Sequence, residues 1–175
     1  MYIARMIFAY RRMTSSRETL NTRFQSERDR IRALLRRCDG DKASRRMLIQ
    51  RVRGLEDSSR HWSVWMTLDH LRIVHHEIAR LIGTLAQGKV PEGTTSTAAV
   101  KPTTEVNADI VDAYEQSCDA VLAVVAASPN LKTTVRYPHP WFGPLTAAGR
   151  HALAVGHLKI HRKQVERIVG GLRDG

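Results

Sequence analysis

Three histidines stand where one divalent ion could be held: His70, inside WSVWMTLDHLRIVHHEIARL, and the pair His157 and His161, inside HALAVGHLKIHRKQVERIV. The pair are four residues apart in a segment with helical periodicity, which puts them on one face about one turn, roughly 6 Å, apart. A third imidazole from a facing helix would complete a three-nitrogen set. Such a set leaves coordination positions open, the layout of a reactive centre rather than a closed structural one. The same residues also read as three separate core histidines, each satisfied by its own hydrogen-bond partner, and side-chain type and spacing alone leave both readings open.

Four helical segments must position these side chains. The first is expected over residues 16–37, capped by Ser15 or Ser16, with Leu20, Phe24, Ile31, Leu34 and Leu35 facing inward. The second is expected from the N-cap Ser63 to about Leu85, stopped by Gln87 and Gly88. Its inward stripe is Thr67, His70, Leu71, Val74, Ile78 and Leu81, which leaves His75 and His76 near the edge. A third spans residues 104–127, with Ile110, Tyr114, Ser117, Val121 and Val125 on one face. The fourth starts after Gly143 and Pro144, capped by Thr146, and ends at Gly170 and Gly171. There His157 and His161 share a stripe with Ala154, Gln164 and Ile168.

No alternating stretch argues for a sheet, so the fold class is all-α, a four-helix bundle in a single domain spanning residues 1–175. The loop QGKVPEGTTSTAAVKPTT between helices two and three is longer than an antiparallel turn needs. It is expected to cross over and leave those helices parallel. SRRMLIQRVRGLE is expected to form a short extra helix over one end, and the first thirteen residues read as a loose N-terminal extension.

Charge and cysteine usage narrow the function classes. The chain has 28 Lys plus Arg against 17 Asp plus Glu, and residues 1–60 hold 16 of the basic and 7 of the acidic side chains. This imbalance makes a basic patch on the N-terminal third an alternative basis for function, as a non-catalytic interaction module binding nucleic acid or another anionic partner through Arg28, Arg32 and Arg36. Interleaved Arg and Glu, with little aromatic content, fit an ordinary solvated face better than a single-strand binder. Cys38 and Cys118 have no CxxC spacing and read as neither a disulfide nor a thiolate metal site. A cytoplasmic protein, forming a homodimer and needing no membrane, is the expectation.

Trp62, Ser63 and the run LDHL (Leu68 to Leu71), then HPWFGPLT (His139 to Thr146), then His157, His161 and Gln164 resemble in order and spacing the DinB/YfiT-like superfamily. The resemblance implies helices running up, down, down and up, and a divalent metal (nickel, zinc, iron or manganese) on His70, His157 and His161. It also implies, for some relatives, a low-molecular-weight thiol whose sulfur the metal activates, as in a thiol transferase; metal-bound hydroxide in a hydrolase is the other chemistry. Trp65 and Met66 stand where a carboxylate or glutamine is common in relatives. Asp69 reads as a solvated or capping charge, and Glu77 as too far below His70 to act as its base. His139 reads as a loop anchor or a residue at the mouth of the site, Trp141 and Phe142 as packing at the bundle's end, and Cys118 as a small buried residue. Arg72, Arg136 and Arg162 are nominated as holders of an anionic co-substrate.

Overall fold

The computed structural model describes residues 15–174, apart from Thr94, Thr95 and Thr97; the expected N-terminal extension lies outside the described residues. Four long helices dominate: α1 (Arg17–Leu35), α2 (Val64–Ala86), α3 (Ile110–Ala127) and α4 (Ala147–Asp174). Their N-termini form where side chains satisfy the first free amides. Ser16 accepts from Thr19 N and Ser63 from Met66 N, each at 3.1 Å, and Thr146 accepts from Gly149 N at 3.2 Å. Among the described residues there is no strand, only an isolated bridge between Tyr137 and Leu145 ahead of α4.

Side-chain contacts fix the helix directions. Asp69, early in α2, accepts from Thr103 N ahead of α3; His75 meets Ser117 midway; and Thr133 beyond α3 donates to the Leu85 carbonyl at the end of α2. Those two helices are therefore parallel, as the long loop permits. α4 runs against α2, since Gln164 reaches Ser59 while His157 reaches His70. α1 runs against α3, since Arg28 meets Asp119 and Arg32 meets Glu115. The result is the up-down-down-up bundle.

The core follows the expected stripes. Leu20, Phe24 and Ile31 of α1, Leu71, Ile78 and Leu81 of α2, and Ile110, Tyr114, Val121 and Val125 of α3 are buried. Leu34 and Leu35 are only partly buried against it.

Three element boundaries differ from expectation. α3 starts at Ile110 rather than residue 104, because the Thr103 and Asn107 side chains accept from Glu105 N and Asp109 N and turn the backbone away from helix. α4 continues through Gly170 and Gly171 to Asp174. Gly171 does not stop the helix; its missing side chain makes room, since a Cβ there would lie 2.7 Å from Met47 Cε. Finally, no helix forms within residues 44–56: the helical turns are Gly40–Ala43 before that stretch and a 3-10 turn, Asp57–His61, after it. The stretch between is an extended strap, pinned by Ile49 N to Arg60 O and Arg60 Nε to Ile49 O, with Ile49, Val52 and Leu55 buried. It lies along the second half of α4, where Gly54 approaches Ile160, Arg167 donates to Gln50 and Met47 approaches Gly171.

Candidate metal centre

α2 and α4 bring the three histidines together. One ring nitrogen from each of His70, His157 and His161 lies within 4.8 Å of the others. The rings themselves are 4.4–5.0 Å apart between centroids. His70 and His161 are buried, while His157 is half-buried. All three line a cavity of about 1200 Å³ that extends between α1, α4 and the crossover loop.

Hydrogen bonds at the far side of two rings fix their tautomers. Nδ1 of His70 lies 2.6 Å from the Val100 carbonyl, which can only accept, so Nδ1 carries the proton and Nε2 is left with a lone pair. Nδ1 of His161 lies 2.6 Å from Gln164 Oε1. The amide orientation is set in turn, because Gln164 Nε2 donates to the Ser59 carbonyl at 2.7 Å. His161 therefore also presents a bare Nε2. His157 Nε2 is 3.1 Å from His70 Nε2, and its buried Nδ1 has no hydrogen-bond partner among the described residues. Polar atoms buried without partners are uncommon, and this one sits in a ring whose proton can move to either nitrogen.

Burial holds His70 below the usual imidazole range. It pushes His157 and His161 well below it, with the neighbouring imidazoles adding repulsion between positive charges. The three rings are neutral near pH 7, the form that donates lone pairs. Trp62 covers the cluster, tilted against His70 at 5.0 Å and stacked on His161 at 6.2 Å between centroids. Trp62 and all three histidines line the cavity, with His157 the most exposed of the three rings.

Several residues behave differently from their sequence reading. Asp69 is 3% exposed rather than solvated. It pairs with Arg72 at 2.7 Å and accepts from Thr103 N at 3.1 Å. That anchor tethers the end of the crossover loop whose Val100 carbonyl orients His70. His75 is not at an edge but fully buried, because α2 also packs against α3 and α1. Its Nδ1 is 3.2 Å from Ser117 Oγ, and its ring lies 5.4 Å from Phe24. His139 takes both nominated roles: its Nδ1 accepts from Trp141 N and Phe142 N at 3.2 and 3.3 Å, and it lines the cavity. Trp141 and Phe142 line that cavity too, and Trp141 is 41% exposed, so these rings do more than pack the bundle's end.

Of the nominated arginines, Arg72 is tied to Asp69, and Arg162 to Glu27 and Glu166. Arg136 is not among the cavity-lining residues. Arg28 and Arg32 are likewise committed within the bundle, to Glu115 and Asp119. Glu77 is paired with Arg80 at 2.8 Å. Cys118 is fully buried, and burial pushes its thiol up to about 12, which removes it as a nucleophile.

Sequence reasoning missed the Val100 carbonyl, since a backbone group leaves no mark in side-chain types, and it missed Arg150. Arg150 stands two turns before His157 on the same face, so the stripe of α4 did carry a signal for it.

Two comparisons bear on this arrangement. A family model described as the DinB superfamily matches residues 23–165, a span that takes in all three histidines. The crystal structure of TT2238, a four-helix bundle protein, matches with a TM-score of 0.63 at 20% identity, over 86% of this chain and 98% of that one. At that identity the likeness carries the fold alone. No curated protein matches the sequence.

Proposed function

From the premise that this chain belongs to the DinB superfamily, we propose that it is a metal-dependent enzyme whose single divalent ion is held by His70, His157 and His161. The observation that carries this reading is the pair of fixed tautomers. Val100 and Gln164 each accept a hydrogen bond from the Nδ1–H of a buried histidine, which leaves its Nε2 with the lone pair. His70 and His161 bring bare Nε2 atoms into a cluster spanning 4.8 Å, where a cation would accept the lone pairs that the single movable proton of His157 cannot all satisfy. Nitrogen-only donors suit zinc, nickel or iron, with manganese less favoured. Three protein ligands would leave positions open for a coordinated water or thiol, and all three histidines line the cavity.

When bound, such an ion lowers the pKa of a coordinated thiol or water and so supplies a nucleophile at neutral pH. The protein's own residues prepare that chemistry. Gln164 and Val100 orient His161 and His70, Trp62 packs against both rings, and Asp69 holds the loop that carries Val100. Because Cys118 is buried with a raised pKa, a thiol nucleophile must come from outside the chain. The family resemblance favours a thiol transferase using a low-molecular-weight thiol.

The test is elemental analysis of tag-free protein beside His157→Ala and His161→Ala. About one equivalent of metal in the wild type, lost in both variants while helicity persists, is the expected result. Wild-type protein that takes up no zinc, nickel, iron or manganese on reconstitution would overturn the proposal.

A further inference from the structure

Arg150 is the largest fully buried side chain among the described residues, 2% exposed, and it lines the same cavity as the three histidines. Its Nη2 donates to the carbonyls of Tyr137 and Pro138 at 3.1 and 2.6 Å, and its guanidinium lies 5.8 Å from the Tyr137 ring centroid. These contacts are neutral. Nε is buried with no hydrogen-bond partner among the described residues, and no carboxylate among them forms an ion pair with this arginine. The nearby acid that would serve, Glu77, has both carboxylate oxygens on Arg80 at 2.8 and 2.9 Å. Burial lowers the Arg150 pKa to about 10, which still leaves a positive charge at neutral pH. A buried charge without a counter-ion is costly, and proteins rarely keep one unless a partner arrives.

The surroundings say what kind of partner. The cavity lining includes the apolar side chains Leu20, Val74, Ile78, Leu81 and Leu153, with Glu77, paired to Arg80, among them on α2. Arg150 and His157 are seven residues apart on one helix face, roughly 10 Å along the axis. We propose that Arg150 is the carboxylate-binding residue of this cavity, and that the substrate class is an organic acid whose apolar body lies along Leu20, Val74, Ile78, Leu81 and Leu153 toward the three-histidine cluster. A planar guanidinium matches a carboxylate, and the low-dielectric walls strengthen the pair. The inference deepens the metal-enzyme reading, but only the reactive end of the ligand rests on it; the carboxylate contact does not need the ion.

The experiment measures binding of octanoate and of 1-octanol to chelator-treated, metal-free protein by titration calorimetry, in wild type, Arg150→Gln and Arg150→Lys. Glutamine removes the charge but stops short of the Tyr137 and Pro138 carbonyls, so lysine, longer and still charged, controls for the lost loop contact. Octanoate should bind the wild type about tenfold or more tightly than 1-octanol, the order expected for a charge-assisted pair. Arg150→Gln should bind the two alike, and Arg150→Lys should keep part of the preference. Equal binding of acid and alcohol by the wild type overturns the proposal whether or not either variant folds. So does a preference that survives in Arg150→Gln, or one that appears only after zinc is added, since the carboxylate would then sit on the ion. Protein that fails to take up metal but still prefers octanoate through Arg150 would defeat the metal reading and leave this one standing.

Discussion

Replacing Gln164 with leucine separates the two things this residue does. Gln164 is fully buried and makes two bonds, donating to the Ser59 carbonyl at 2.7 Å and accepting from His161 Nδ1 at 2.6 Å. Leucine has similar bulk but leaves a carbonyl and an imidazole N–H unsatisfied. At about 1–3 kcal/mol for each orphaned group, partly offset by the added apolar burial, metal-free protein should lose about 2–4 kcal/mol. For a chain of this size that lowers Tm by roughly 4–15 °C. Metal affinity should fall separately, by about 10–100-fold, because His161 loses the partner that fixes its tautomer and ring orientation. Thermal unfolding in chelator reads the first effect, and zinc competition against a chromophoric chelator reads the second. Glutamate at the same position should keep the acceptor and retain most of the metal affinity. A folded Gln164→Leu protein that binds zinc as tightly as the wild type would refute the argument that this hydrogen bond prepares the site.

Two further outcomes follow from the interior. Burial lowers His75 to about 3 and His151 to about 4, so between those values and the unfolded pKa near 6.5 the unfolded chain binds more protons, and stability must fall as pH drops. At pH 5 each group should cost about 2 kcal/mol; a urea midpoint for metal-free protein that is the same at pH 5.0 and 7.5 would contradict this. Arg28 is 4% exposed and shared between Glu115 and Asp119, so Glu115→Ala, which strips its closest partner and leaves Asp119, should destabilise by about 2–3 kcal/mol, read by chemical denaturation. A loss under about 1 kcal/mol would mean that this pair behaves as a surface bridge.

The pattern of apolar residues made the bundle legible, because helical periodicity is a local property and each stripe must find another. Ser16, Ser63 and Thr146 announced their helices since a cap acts on amides within one turn. The long Thr-rich loop between α2 and α3 was long enough for a crossover, and with it a parallel pair. The misread boundaries differ in kind: the turns at Thr103 and Asn107 that delay α3 are local, whereas Gly171 lies inside α4 with Met47, far away in sequence, filling the space beside it.

The candidate site divides along the same line. His70, His157 and His161 could be named from residue type and spacing together with the family resemblance, since ligands of one ion must share faces of facing helices. Which nitrogen each presents could not, because that depends on a loop carbonyl at Val100 and on an amide held by Ser59. The fate of the charges was equally hidden. Arg28 and Arg32 looked like a basic surface until α3 supplied Glu115 and Asp119, and Asp69 looked solvated until the crossover loop closed over it. Arg150 became distinctive only when folding buried it and gave it no acid. The sequence by itself determined which helices form and which faces turn inward, through short-range periodicity and capping. The tertiary structure alone decided which charges are matched and which tautomers are held, because electrostatic partners are chosen by distance in space.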